Sequence, residues 1–341
     1  MKSLILKNHG YSKEQPDDIV LKDMSPFVEY GDLPDPEPSE GEVKVKVSLA
    51  SVNPSDEMFI QGLYGQPRIE GNGAGFEGVG EVVASGGGKH ADALVGKRIA
   101  FFGTPGKPGT WSEYSIANAA TAIPLMDGVR DEDGAAMIVN PLTALGMFSI
   151  VEETGAKSFI VSAGASQLCK LMIDVAAEKG FRPIALVRRD EQIELLKGHG
   201  AAHVLNVTSD TFADDFRAIS REEKPRIFLD AVANQTSEQV FAAMPNKARW
   251  IIYGVLDPRS PTLNQPGQLI FQMKQIEGFW LTRWMGESDP SKVVGAIGEA
   301  QKRFASGTWK TDVTAIVPLS EAMERLPEEL AKPNGKVFIK P

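Results

Sequence analysis

Ser158-Phe159-Ile160-Val161-Ser162-Ala163-Gly164-Ala165-Ser166-Gln167-Leu168-Cys169 passes from an apolar run through small residues into a segment with apolar positions at Leu168, Leu171, Met172 and Val175. The run reads as a strand buried on both faces, and the spacing of the following apolar positions as a helix. Small residues at the junction let backbone N–H groups approach a pyrophosphate, and the helix N-terminus adds a partial charge of about +0.5. Only Gly164 is a glycine, however. Gln167 and Cys169 stand where the dinucleotide-binding fingerprint favours glycine. By itself the stretch leaves two readings open: a phosphate turn, or a tight turn closing any α/β sheet.

Downstream, strand-like and helix-like segments alternate. Strands are expected at 158–163, 183–187, 203–207, 226–232 and 249–254, with helices at 167–179, 191–198, 210–221 and 236–244 between them. Parallel strands need such crossovers, so the segment predicts a doubly wound parallel α/β sheet of the Rossmann kind. The second strand ends Ile184-Ala185-Leu186-Val187 and is followed by Arg188-Arg189. A site for NAD usually carries a carboxylate there to bind ribose hydroxyls, whereas a 2′-phosphate is repelled by a carboxylate and attracted by arginine. The pair therefore favours NADPH.

The chain before this segment has a different texture. Its first ~125 residues are rich in Gly and Pro, with short β-favouring runs such as Val43-Lys44-Val45-Lys46-Val47 and Gly80-Glu81-Val82-Val83-Ala84, and they predict a mostly-β domain. Between 131 and 153 two helical stretches are expected, interrupted at Asn140-Pro141. Beyond Trp284 a helix at 291–305, the apolar 313–317 and a last strand at 336–340 read as a return to the β domain. The expected division is 1–129 with 278–341 as one domain, and 130–277 as the nucleotide-binding one.

Composition narrows the function. A length of 341 residues with 42% hydrophobic content suffices for two cores, and a net charge of −9 argues against a nucleic-acid partner. The single cysteine, Cys169, rules out an intramolecular disulfide, and with only four histidines no tetrahedral zinc site can be assembled from sulfur ligands. No run approaches the ~18 apolar residues of a membrane span. The expectation is a soluble cytoplasmic protein with no metal; a transit peptide already removed would leave no trace.

Six ordered motifs carry a family resemblance over nearly the whole chain: Val52-Asn53-Pro54-Ser55-Asp56, Ile60-Gln61-Gly62-Leu63-Tyr64-Gly65, Gly75-Phe76-Glu77-Gly78-Val79-Gly80, Gly109-Thr110-Trp111, Val139-Asn140-Pro141-Leu142-Thr143-Ala144 and Gly278-Phe279-Trp280-Leu281-Thr282-Arg283-Trp284. With them the chain resembles the zinc-independent branch of the medium-chain dehydrogenase/reductase superfamily. Within that branch it is similar to the mitochondrial-type trans-2-enoyl-CoA/ACP reductases and the NADPH:quinone reductases. The resemblance implies a GroES-like mostly-β catalytic domain beside the Rossmann domain. Zinc-using relatives have a histidine where this chain has Phe76 and a cysteine in the segment that here reads Asn53-Pro54-Ser55, so the resemblance implies no catalytic zinc.

It also implies roles. Tyr64 would be the active-site acid, or the hydroxyl that orients the substrate carbonyl. Asn140 would contact the cofactor near the nicotinamide or ribose. Ala165, Ser166, Gln167 and Leu168 would cover the pyrophosphate, and Arg188 and Arg189 would take the 2′-phosphate. Tyr253, Gly254 and Val255, with Phe279, Trp280, Leu281 and Thr282, would line the nicotinamide pocket, and Lys336 would lie near the cofactor. Phe59 and Trp284 would bound the substrate pocket. The expected activity is NADPH-dependent reduction of the C=C bond of 2-enoyl thioesters, with a zinc-free quinone or enone reductase as the alternative and a non-catalytic NADPH-binding protein as a third reading. Arg283, Lys274 or Lys302 could meet an acidic acyl carrier, and a homodimer through sheet edges is implied. Acyl chain length is left open.

Overall fold

The structure, a computed structural model, describes residues 1–14, 19–332 and 335–341. The chain divides into two compact units, Met1–Val139 with Ile297–Pro341, and Asn140–Ala296. None of the described helices is long and apolar enough to cross a membrane.

In the first unit a long strand, Glu42–Val52, organises the main sheet. Its alternation places Val43, Val45 and Val47 inward while Lys46 faces solvent, as a period of two requires. It pairs antiparallel with Glu77–Ser85, Tyr114–Asn118 and Lys336–Lys340. Arg98–Phe102 and Ile123–Pro124 continue the sheet on one side, and Val313–Pro318 lies parallel to Lys336–Lys340 on the other. A separate hairpin-like pair joins Lys2–Leu6 to Val28–Asp32. The core gathers Leu4, Val43, Phe101, Trp111 and Ile339, each contributing on the order of 1.5–3 kcal/mol by burial. Trp111 is fully buried and its indole N–H donates to the Ser51 carbonyl at 3.1 Å, so its polar atom is satisfied.

The second unit is a six-stranded sheet in which every pairing is parallel. Its strands in chain order are Ser158–Val161, Arg182–Val187, His203–Asn206, Ile227–Asp230, Arg249–Ile252 and Gln275–Gly278, and in space they run third, second, first, fourth, fifth, sixth. The first and fourth are neighbours, so the chain reverses its winding direction between them, and crevices for ligands form at such a switch point. Ile160, Ile184, Phe216, Phe228, Phe241 and Trp250 fill the core, with Phe228 and Trp250 stacked at 6.2 Å.

The compact units meet at 139/140 and 296/297, where the sequence reading places the limits at 129/130 and 277/278. Helix Asp131–Ala135 packs on the strands of the first unit, and Asp133 accepts the Thr311 N–H at 2.8 Å, which ties residues 130–139 to that side. At the other end, Phe279 and Trp284 lie over Gly146 of the second unit, so close that a Cβ there would come 3.1 and 3.0 Å from their rings.

The helix interruption expected at Asn140-Pro141 lies instead at 136–138, between Asp131–Ala135 and Val139–Glu153. Pro141 occupies the first helical turn, where a missing N–H has no intrahelical acceptor to lose. Finally, the sixth strand, Gln275–Gly278, lies on the sheet edge and is mostly exposed. With one apolar residue in four it carries no periodic signal, yet Arg249 and Glu277 tie it to the fifth strand through a bidentate pair at 2.7 and 2.8 Å.

Candidate functional site

The turn after the first strand is built as a close approach of backbones. Ser162 N donates to the Leu229 carbonyl at 3.0 Å and Gly164 N to the Leu186 carbonyl at 2.9 Å, which draws the turn against the neighbouring strands. A Cβ on Gly164 would come 3.0 Å from the Ala185 Cβ and 3.2 Å from the Leu186 oxygen, so a side chain there would press on the second strand. Ala163 takes a left-handed conformation, φ +47°. Ser166 then caps helix Gln167–Glu178, its Oγ accepting the Cys169 N–H at 3.3 Å. Ser166 is exposed, Gln167 is half-buried, and Ala165 and Leu168 are buried. The first helical turn presents its N–H groups without i−4 carbonyls to receive them.

Cys169 does not crowd this turn. Its Sγ points inward, 3.4 Å from the Ser162 carbonyl and 3.5 Å from the Tyr253 hydroxyl. Burial pushes the thiol upward, as it does the Tyr253 phenol, which is held well above its usual range. The residue replaces the helix-to-strand packing glycine of the fingerprint by filling space inside the layer.

Beneath the turn lies a residue that sequence reasoning missed. Asp230, at the end of the fourth strand, is fully buried. One oxygen accepts from the Ser162 hydroxyl and from Val232 N at 3.0 Å; the other accepts from Ala233 N at 3.1 Å and Trp250 Nε1 at 2.9 Å. Ser162 Oγ in turn accepts the Ala231 N–H at 2.8 Å. A single carboxylate therefore ties the ends of the first and fourth strands, where the switch point lies, to Trp250 in the fifth. Four donors satisfy a buried carboxylate that would otherwise be very costly. In sequence Asp230 shows only as an acid closing an apolar strand.

Arg188 and Arg189 follow the second strand directly. Arg188 is exposed and makes no ion pair among the described residues, while Arg189 lies 3.4 Å from Glu191. Tyr253, Gly254 and Val255 follow the fifth strand, held to the fourth by Tyr253 N donating to the Asp230 carbonyl at 2.9 Å. A Cβ on Gly254 would come 3.0 Å from the Ala231 carbonyl. Phe279 N donates to the Ile252 carbonyl at 2.9 Å, Trp280 directly precedes helix Leu281–Glu287, Leu281 is buried and Thr282 exposed. These groups all belong to the second unit and cluster at the carboxyl ends of its strands. Asn140 is half-buried in the first turn of helix Val139–Glu153.

The first unit holds the second group of residues. Tyr64 packs on Phe76 with ring centroids 5.2 Å apart, and Phe76 on Phe59 at 4.9 Å. Phe59 is thus part of an aromatic cluster around Tyr64. Trp284, its expected pocket partner, belongs to the second unit and lies 6.5 Å from Phe279.

Lys336 also belongs to the first unit. Its buried ammonium donates to the Val52 carbonyl at 3.2 Å and to Asn53 Oδ1, and burial pushes its pKa down. Asn53 Nδ2 donates to Glu77 Oε1 at 3.0 Å, Ser51 Oγ donates to the same oxygen at 2.8 Å, and Glu77 Oε2 accepts Ile138 N at 3.1 Å and Val139 N at 2.9 Å. The lysine is therefore committed to a closed internal network, with Glu77 capping the start of helix Val139–Glu153. Lys274, expected as a candidate for an acidic carrier, is likewise buried, its ammonium donating to the Phe241 and Ala242 carbonyls and to Gln268 Oε1 at 2.8–3.0 Å.

These two units are those of a dehydrogenase. Residues 39–127 match the family described as "Alcohol dehydrogenase GroES-like domain" and residues 168–297 the family "Zinc-binding dehydrogenase". The chain belongs to the medium-chain dehydrogenase/reductase superfamily of oxidoreductases. Among its relatives, a Mesorhizobium loti protein provisionally named an NADPH:quinone reductase is 56% identical, with a TM-score of 0.96 over 100% of this chain and 98% of that one. Mitochondrial enoyl-[acyl-carrier-protein] reductase of Bos taurus is 28% identical over 82% of this chain and 75% of its own length. The NADPH complex of Escherichia coli quinone oxidoreductase, 20% identical, shares the fold with a TM-score of 0.81 over the full length of both chains.

The donors present do not fit the zinc that the second family description names. Phe76 offers no ligand atom, Asn53 is engaged by Ser51, Glu77 and Lys336, and a lysine ammonium stands beside them. Among the described residues no group of three His, Cys, Asp or Glu side chains is arranged to hold a metal.

Proposed function

We propose that the chain is an NADPH-dependent reductase of the C=C bond of 2-enoyl thioesters, with Tyr64 as its acid or orienting hydroxyl. The observation that carries this reading is the seating of Tyr64 on Phe76, which sets a phenol beside the ring that stands where zinc-using relatives have a histidine. NADPH bound by the residues named below would supply a hydride for the β carbon. Tyr64 then donates a hydrogen bond to the thioester oxygen on which charge develops, or a proton to the α carbon. The Phe59 and Phe76 rings hold the phenol and keep its surroundings apolar.

The cofactor reading is supported by the residues that would hold it. Small residues and the N-terminus of helix Gln167–Glu178, at Ala165, Ser166, Gln167 and Leu168, suit a pyrophosphate. Arg188, exposed and unpaired among the described residues, suits a 2′-phosphate with Arg189 beside it. Asn140, Tyr253, Gly254, Val255 and the 279–282 stretch would surround the nicotinamide. Lys336 would lie near the cofactor, its ammonium held by the Val52 carbonyl and Asn53.

A second reading, reduction of quinones, is favoured by the provisional name of the Mesorhizobium loti relative. NADPH oxidation measured with crotonyl-CoA, a long-chain enoyl-CoA and 1,4-benzoquinone separates the readings. Turnover of crotonyl-CoA, lost in Tyr64→Phe, is expected; turnover of the quinone alone would replace the first reading by the second. NADPH binding with no turnover of any of the three would point to a non-catalytic protein. For the partner, we propose a homodimer through the exposed sixth strand of the parallel sheet.

A further inference from the structure

Four residues after Tyr64 stands a charged residue that no part of the reaction uses. Arg68 is only 5% exposed, and among the described residues no carboxylate pairs with it. Its Nε donates to the Gly10 carbonyl at 2.9 Å and one terminal nitrogen donates to the Ile60 carbonyl at 3.1 Å. Ile60 lies in the last turn of helix Pro54–Gln61, so the guanidinium is compensated by the negative end of a helix and by carbonyl dipoles.

The placement explains why. Gly62 ends that helix in a left-handed conformation, φ +78°, its N–H donating to Phe59 O at 2.9 Å, while Leu63 N donates to Met58 O at 2.8 Å. The chain then makes a short excursion over residues 63–67 and returns at Arg68, whose backbone exchanges hydrogen bonds with Gly10 at 2.9 and 3.2 Å. The Arg68 side chain crosses back over the start of the excursion: a Cβ on Gly62 would stand 2.5 Å from the guanidinium carbon. Tyr64 is the second residue of the loop so closed, and its ring rests on Phe76.

We propose that Arg68 is a positioning residue for Tyr64, bracing the base of the 63–67 loop so that the phenol meets the substrate at a fixed place. This inference rests on Tyr64 acting as proposed above. A guanidinium suits the task because its planar fork reaches two carbonyls at once, which an ammonium on a flexible stem does less well. Loosening the loop leaves the phenol chemically intact but misplaced, and displacements near 1 Å cost roughly 100-fold in rate.

The test is a double-mutant cycle on the full chain with NADPH and crotonyl-CoA. Arg68→Met is expected to lower kcat/KM for crotonyl-CoA by roughly 10- to 100-fold, with NADPH affinity unchanged, and Arg68→Lys to recover part of it. In a Tyr64→Phe background Arg68→Met is expected to add less than about threefold, because both act through one hydroxyl. Independently of turnover, hydrogen exchange at 62–67 is expected to rise about tenfold in Arg68→Met, with the rest of the unit unchanged. Fully additive losses in the cycle, an equal loss of NADPH affinity, or unchanged exchange at 62–67 would overturn the inference while leaving the role of Tyr64 intact. A Tyr64→Phe variant as active as the wild type removes that role itself, and the inference with it. If the wild type leaves crotonyl-CoA unreduced, the enoyl reading fails, and the exchange measurement alone decides whether Arg68 braces the loop.

Discussion

Trp250 in the fifth strand donates its indole N–H to Asp230 at the end of the fourth, at 2.9 Å, and the same carboxylate receives the Ser162 hydroxyl from the end of the first. Asp230→Ala leaves several buried donors unsatisfied and is expected to destabilise the protein by at least about 3 kcal/mol, read from urea unfolding with an unchanged m-value. Asp230→Asn, nearly isosteric, should fold more stably than Asp230→Ala yet weaken NADPH binding by roughly tenfold, because the turn at Ala163 shifts. Wild-type affinity in Asp230→Asn would separate the carboxylate from the cofactor site.

Replacing both Arg188 and Arg189 by alanine is expected to remove about 1.5–3 kcal/mol of charge-assisted hydrogen bonding to a 2′-phosphate. NADPH affinity should fall by roughly 10- to 100-fold while NADH affinity holds. Fluorescence titration of both nucleotides at one ionic strength checks this. An equal loss for both would assign the arginines to general electrostatics.

Burial pushes both Asp56 and Glu57 up to about 7, with Asp56 adding to the effect on Glu57. An acid whose folded pKa lies above its unfolded one binds more protons in the folded state between those two values. Its stabilisation is full below the unfolded pKa and is lost as pH rises through the folded one. The melting temperature should therefore fall between about pH 5 and pH 8, and Asp56→Asn should flatten that slope. Toward acid pH the opposite applies to Glu223 and Glu277, held down by Arg182 and Arg249: their contribution disappears as they protonate.

Ile270, Phe271, Met273 and Ile276 are 72, 83, 56 and 41% exposed on and beside the edge strand. An open edge with such a face is unfavourable in water. Ile276→Glu is expected to convert a dimer to a monomer, measured by light scattering after size exclusion, with the fold retained by circular dichroism. A wild type that elutes as a monomer would dispose of the dimer.

How much of this was legible beforehand follows from where the signals lie. The strand and helix around Gly164 were readable because apolar period and small residues coincide there. The mostly-β and parallel-sheet halves follow from the same patterning, and the GroES-like form of the first from the family resemblance. Gln275–Gly278 was not readable, because an edge strand with polar faces obeys no period. Asn140-Pro141 looked like a break because proline stops helices from the middle but not from the first turn. The site residues divide likewise. Tyr64 stands in a motif and Arg188 at a strand end, whereas the roles of Asp230, Glu77 and Arg68 depend on partners distant in sequence, such as Trp250, Ile138 and Gly10, which only folding brings together. Lys336 was placed near a ligand by resemblance, and its network with Asn53 is visible only in three dimensions.

Cys169, wedged between the Ser162 carbonyl and the Tyr253 hydroxyl, is the chain's one thiol. That makes it a built-in reporter. A thiol-specific reagent can reach it only when the head of helix Gln167–Glu178 lifts off the sheet, so the labelling rate in the unmodified protein times that opening directly. A nucleotide seated on the same turn would slow the reaction, giving a binding assay that needs neither substrate nor mutation.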